Sequence, residues 1–140
     1  MSTFTLPIQV YWEDTDAGGI VYHANYLCYM ERARSEWLRQ SGFSQNKARH
    51  QENGLLFVVA DISIKYHQSA QLEDSLIVTA EIERLGHASI IFDQKVMRGD
   101  EVLVSAKVRV GAINATTRQP MAIPAEAREK ILPFVKPKAE

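Results

Sequence analysis

One hundred and forty residues, 46% of them hydrophobic, suit one compact domain with a substantial core and leave no room for a second. A net charge of −1, with the sixteen basic residues dispersed, argues against a surface built for nucleic acid, and the lone Cys28 excludes an internal disulfide or a cysteine-paired zinc site. Met1 to Val10 lacks the charged leader and apolar stretch of a signal peptide, and the longest wholly apolar run, Leu55 to Ala60, is far below the ~20 residues of a bilayer span, so a cytoplasmic chain with no membrane span is expected.

From Phe4 to Trp12 the apolar residues Phe4, Leu6, Ile8, Val10 and Trp12 alternate with Thr5, Pro7, Gln9 and Tyr11, the period of a half-buried strand. Pro7 lacks a backbone donor, which suits a sheet edge. Gly18 and Gly19 then permit backbone forbidden to other residues, so Asp14-Thr15-Asp16-Ala17 reads as a tight turn feeding a helix that starts near His23 or Ala24.

Over Ala24 to Gln40 the spacing is helical. Tyr26, Leu27, Met30, Ala33, Trp37 and Leu38 share one arc, and Arg32, Ser35, Glu36 and Arg39 the other. Arg34 falls inside the apolar arc and Glu31 at its rim, positioned to pair with each other or with a buried acid. Gly42 supplies the helix stop, and Ser44 to Asn53 reads as a polar, weakly helical excursion.

Alternation resumes with Val58, Ala60, Ile62, Ile64 and Tyr66, then Leu76 to Ile82 and Val102 to Val110, with Ile90 to Met97 less regular. Breaks at Ser69 to Ser75, Gly86-His87 and Arg98-Gly99-Asp100 are short, which predicts an antiparallel meander of four consecutive strands. Pro124 to Ile131 is expected to add a short terminal helix. The class is therefore α+β, a five-stranded antiparallel sheet whose apolar face is buried by the one long amphipathic helix.

The string Tyr11-Trp12-Glu13-Asp14-Thr15-Asp16-Ala17-Gly18-Gly19-Ile20-Val21-Tyr22-His23, with Asn25-Tyr26 and Glu31-Arg32-Ala33-Arg34, resembles the signature of the 4-hydroxybenzoyl-CoA thioesterase family, in particular its YbgC-like branch associated with the Tol-Pal envelope system. The order β-α-β-β-β-β likewise resembles the hotdog fold, a sheet wrapped around a central helix. The resemblance implies acyl-CoA thioester hydrolysis without cofactor or metal. It implies that Asp16 is the catalytic carboxylate, as nucleophile or general base, that backbone N–H groups of Tyr22 or His23 face the thioester carbonyl, and that His23 is a branch residue of the site. It also implies a homodimer or homotetramer, with sheets joined edge to edge and the site between subunits. The family's basic residues before the fourth strand are absent from Gly86-His87-Ala88-Ser89, so no nucleotide contact carries over.

Each residue also has a plainer reading. Asp16 can close an Asx turn or cap the helix, and Asp14 reads as structural, because like-charge repulsion opposes placing both acids on one ligand. His23 can assist the carbonyl or pack on Trp12 or Tyr22. Asn25 can bond the reacting carbonyl or act as a local cap. Glu31 reads as a partner of Arg34. His50, His67 and His87 have no metal-ligand spacing, Cys28 and Tyr66 read as packing residues, and Lys136 and Lys138 as solvated. Two rivals remain: a non-hydrolytic module binding acyl-CoA or acyl carrier protein, and a hotdog dehydratase. The dehydratase ranks low because it takes its acid from the helix, whereas Asp16 lies in the turn.

Overall fold

The structure, a computed structural model, describes residues 3–136. Five strands, β1 (Thr3–Gln9), β2 (Leu55–Tyr66), β3 (Ser75–Leu85), β4 (Ser89–Arg98) and β5 (Glu101–Asn114), form one antiparallel sheet in the order β1-β3-β4-β5-β2. The long helix α1 (Asn25–Gln40) packs on β1, β3 and β4; α2 (Gln45–Arg49) and α3 (Ala125–Ile131) are short. Lys138 lies outside the described residues, and Lys136 pairs with Asp93 and Glu81 at 3.6 and 3.8 Å instead of standing free.

The expected four-strand meander holds only for β3, β4 and β5. β2 pairs with β5 at the far edge, so residues 67–74 carry the chain from one edge of the sheet to the other, where β3 pairs with β1. Alternation along a strand reports which face is buried and not which neighbour it has. β1 does occupy an edge, as Pro7 requires, but it stops at Gln9, and Trp12 sits in a single 3₁₀ turn, Trp12–Asp14, with 81% of its surface exposed.

The core forms where the inner face of α1 meets the concave face of the sheet. Tyr26, Tyr29, Met30, Ala33, Trp37 and Leu38 are buried against residues such as Leu76, Val78, Ile82, Phe92, Val96 and Val108. Each large aliphatic so buried contributes about 1.5–3 kcal/mol before entropy is counted. The helix ends at Gly42, whose φ of 93° belongs to the left-handed region and lets the Phe43 N–H reach back to the Leu38 carbonyl. Cys28 is exposed on α1 and does not pack as expected.

β2 departs most from its alternation. A register shift between Val59 and Asp61 loops Ala60 out of the ladder, so inward positions change parity there. Val58 and Ala60 are consequently exposed, whereas Phe57, Ile62 and Ile64 pack against the core. Tyr66, expected in the core, is 46% exposed.

Arg34 is buried, and its partner is neither Glu31 nor an acid. One guanidinium N–H donates to Gln94 Oε1 at 2.9 Å, while the fully buried Gln94 donates through Nε2 to the Met30 and Thr79 carbonyls at 3.0 and 3.2 Å. Glu31 instead accepts from the Ser35 hydroxyl. Burial draws the Arg34 pKa down from its usual value, and the Glu31 charge acts in the opposite sense.

Candidate active site

The turn before α1 is folded by its own polar groups. The Asp16 N–H donates to the Ile20 carbonyl at 2.9 Å and the Gly19 N–H to the Asp16 carbonyl at 3.0 Å, with Gly19 at φ 82°. The tight turn is therefore Asp16 to Gly19, two residues later than the spacing suggested. Asp16 Oδ1 accepts the Gly18 N–H at 2.8 Å, an Asx turn that fixes the carboxylate and leaves Oδ2 without a hydrogen-bond partner among the described residues. Asp16 does not cap the helix: Ala24 occupies the N-cap, and no side chain bonds there.

Asp14 carries the supporting contacts. Its carboxylate accepts the Tyr11 N–H at 2.8 Å, and its carbonyl accepts the Tyr22 N–H at 2.9 Å and Asn25 Nδ2 at 2.8 Å. Tyr22's amide is thus occupied and Asn25 is a local brace. Of the two amides expected to face a carbonyl, only that of His23 has no backbone acceptor among the described residues. The Tyr29 hydroxyl is buried near Asp14; burial raises its pKa, and the Asp14 carboxylate adds to the shift.

A cleft of about 270 Å³ is lined by Asp16, Ile20, Val21, His23, Tyr26, Tyr66, His67, Gln68 and Ser69. The crossing connection supplies its far wall and is tied to the turn by the Val21 N–H to Ala70 carbonyl bond at 2.9 Å. The Ala70 N–H in turn donates to the Tyr26 hydroxyl at 2.9 Å. His23 packs on Tyr22, not Trp12, with ring centroids 4.6 Å apart, and the Tyr66 hydroxyl donates to its carbonyl at 3.1 Å. The cleft therefore unites Asp16 with His23, while Tyr22 and Asn25 brace it from outside. Tyr66, His67, Gln68 and Ser69 were missed as wall residues, because their role depends on β2 lying at the far edge.

His67 bonds Ser105 Oγ at 2.9 Å and His50 the Asn46 carbonyl at 2.8 Å. No group of three or more metal-ligating side chains occurs among the described residues. A larger open groove of about 650 Å³ follows the outer side of α1 past Arg32, Arg39 and Phe43, but none of the expected site residues lines it. No helix among the described residues is long and apolar enough to cross a membrane.

Residues 18–105 match the model of the thioesterase superfamily. The chain belongs to that superfamily. Curated relatives include the acyl-CoA thioesterase YbgC of Haemophilus influenzae, 42% identical over 125 residues that span 89% of this chain and 91% of that protein. The acyl-CoA thioesterase YbgC of Helicobacter pylori is 36% identical over 126 residues, 83% of this chain and 90% of its own. Among solved structures, a probable thioesterase from Bartonella henselae superposes with a TM-score of 0.82 at 36% identity, covering 87% of this superfamily member and 99% of that chain. The hotdog architecture expected from the element order is thus that of its relatives.

Proposed function

We propose that this chain hydrolyses acyl-CoA thioesters to the free acid and coenzyme A, with Asp16 as the reacting carboxylate. The observation that carries the assignment is the cleft itself: Asp16, held through Oδ1 with Oδ2 free, shares it with the amide end of α1 at His23. A thioester needs little more, because sulfur donates poorly to the carbonyl and leaves readily as thiolate.

Oδ2 of Asp16 either takes a proton from an attacking water or attacks the carbonyl carbon to give a mixed anhydride that water then opens. In both routes the carbonyl oxygen gains negative charge. The His23 N–H, near the partially positive end of α1 and without a backbone acceptor among the described residues, is the donor assigned to it, and His23 lines the same cleft as Asp16. Asn25 and Tyr22 serve through Asp14, holding the turn against the helix. The names of the curated relatives support the acyl-CoA substrate class.

The exposed outer edge of β2, with Val59 48% and Tyr66 46% accessible, supports a homodimer joined along that edge, whether or not dimers pair further into a homotetramer. The decisive experiment is Asp16→Asn, which keeps the acceptor for the Gly18 N–H but removes the charge. Thiol release from acyl-CoA should fall about 10²- to 10⁴-fold, with an unchanged melting profile. A folded variant working at the parent rate defeats the assignment.

A further inference from the structure

A second, smaller cavity of about 140 Å³ lies between α1 and the sheet, bounded by Glu31, Arg34, Ser35, Leu38 and Gln45 on one side and by Phe57, Val59, Ile90, Phe92 and Val110 on the other. It shares no lining residue with the Asp16 cleft. Arg34 follows His23 by eleven residues, about 16 Å along the helix. The walls contributed by β2, β4 and β5 are wholly apolar, and the guanidinium is the cation set among them.

That cation is incompletely satisfied. Arg34 is only 9% exposed, yet its one hydrogen bond to a described residue goes to a neutral amide oxygen, and no carboxylate of a described residue lies within 4.0 Å. Gln94 spends Nε2 on two carbonyls and turns Oε1 to Arg34, so it holds the guanidinium in place, and Arg34 lines the cavity with N–H donors that have no other acceptor among the described residues. Burying a cation with so few acceptors is costly unless something supplies them. A planar carboxylate with an apolar tail matches both halves of the space: two oxygens for the guanidinium fork, and a hydrocarbon chain for Phe57, Val59, Ile90, Phe92 and Val110.

We infer that this cavity is a binding site for a short aliphatic carboxylate, seated with its head on Arg34 and its tail against the inner faces of β2, β4 and β5. The site is separate from the Asp16 cleft and stands whether or not the chain cleaves a thioester. If it does, the ligand belongs to the chemical class that the reaction releases, and the cavity would register accumulated product. Glu31 stands at the rim and opposes the incoming charge, which sets the sign of one of the tests.

The test is calorimetric titration of the full chain with hexanoate and, separately, hexan-1-ol. Hexanoate should bind roughly tenfold or more tightly than the alcohol, by the difference between a charge-assisted pair and a neutral contact. Arg34→Met should abolish that preference and Glu31→Gln should strengthen hexanoate binding. Gln45→Trp, at an exposed lining position on α2 and away from the β2 edge, should close the mouth and weaken both ligands. Asp16→Asn should bind hexanoate as the parent does, which separates this site from the hydrolytic one. Absence of hexanoate binding, equal affinity for acid and alcohol, or binding insensitive to both Glu31→Gln and Gln45→Trp would overturn the inference, even if Arg34→Met fails to fold.

Discussion

Gln94→Leu is the substitution whose cost follows most directly from the geometry. It keeps the approximate volume of a fully buried side chain but removes the acceptor at 2.9 Å from Arg34 and the donor to two carbonyls inside α1 and β3. A hydrogen bond to a charged group is worth about 1.5–3 kcal/mol, and stranding a buried cation costs about 3–5 kcal/mol, so Gln94→Leu should lower stability by roughly 3 kcal/mol. Arg34→Met strands only the neutral amide oxygen and should cost about 1–3 kcal/mol. The double variant replaces both partners by apolar groups and should cost about 1 kcal/mol, less than Gln94→Leu alone. Urea unfolding of the parent and the three variants, at one protein concentration with the slope checked for constancy, closes the cycle. If the double variant costs the sum of the singles, the two side chains are independent, and the account of a cation fixed by Gln94 fails.

Gly18 and Gly19 should separate activity from stability. A Cβ on Gly18 would stand 3.2 Å from Asp16 Oδ1, so Gly18→Ala should reduce kcat in a thiol-release assay with little change in melting temperature. A Cβ on Gly19 meets nothing, but its φ of 82° makes Gly19→Ala cost about 1–2 kcal/mol, seen as a lower melting temperature. A single turnover in ¹⁸O-water followed by mass spectrometry of the Asp16 peptide tests the covalent route: label in the carboxylate marks Asp16 as the nucleophile, because a general base exchanges no oxygen with solvent, whereas label confined to the acid product is common to the base route and to anhydride opening at the acyl carbon. Partial burial works against ionisation of Asp74, but the Gln71 N–H and the Arg98 guanidinium prevail and hold its pKa below the usual 3.8. The resulting stability is present above that value and lost as pH falls through the lower folded one, so Asp74→Asn should destabilise the chain at pH 7 and flatten its acid unfolding curve.

The long helix was legible because Tyr26, Met30, Ala33, Trp37 and Leu38 repeat at its period, and the sheet because four of its strands alternate. Strand order was not legible. Nothing in the alternation of β2 distinguishes β3 from β5 as its neighbour, and the extra residue at Ala60 reverses its inward face halfway along. Trp12 continues the alternation of β1 past the end of the strand, because a period of two in the sequence does not by itself require a strand. The partner of Arg34 did leave a signal: Ile90, Phe92, Gln94 and Val96 are the buried line of β4, and a lone amide in such a line requires an inward-facing polar group opposite. For the candidate site, the turn string located Asp16 and His23, but assigning Tyr22 and Asn25 to reaction or scaffold required the carbonyl of Asp14.

The excursion of residues 67–74 across the molecule also governs when during folding the cleft can exist. The hairpins among β3, β4 and β5 are local in sequence, whereas β1 must find β3 some seventy residues downstream, and only then do Val21 and Ala70 meet. Such distant closures come late. A partly folded chain holding only its local hairpins would carry Asp16 and His23 without their opposite wall, and ligand binding in the cleft would serve as a timer for the final docking of the two sheet margins.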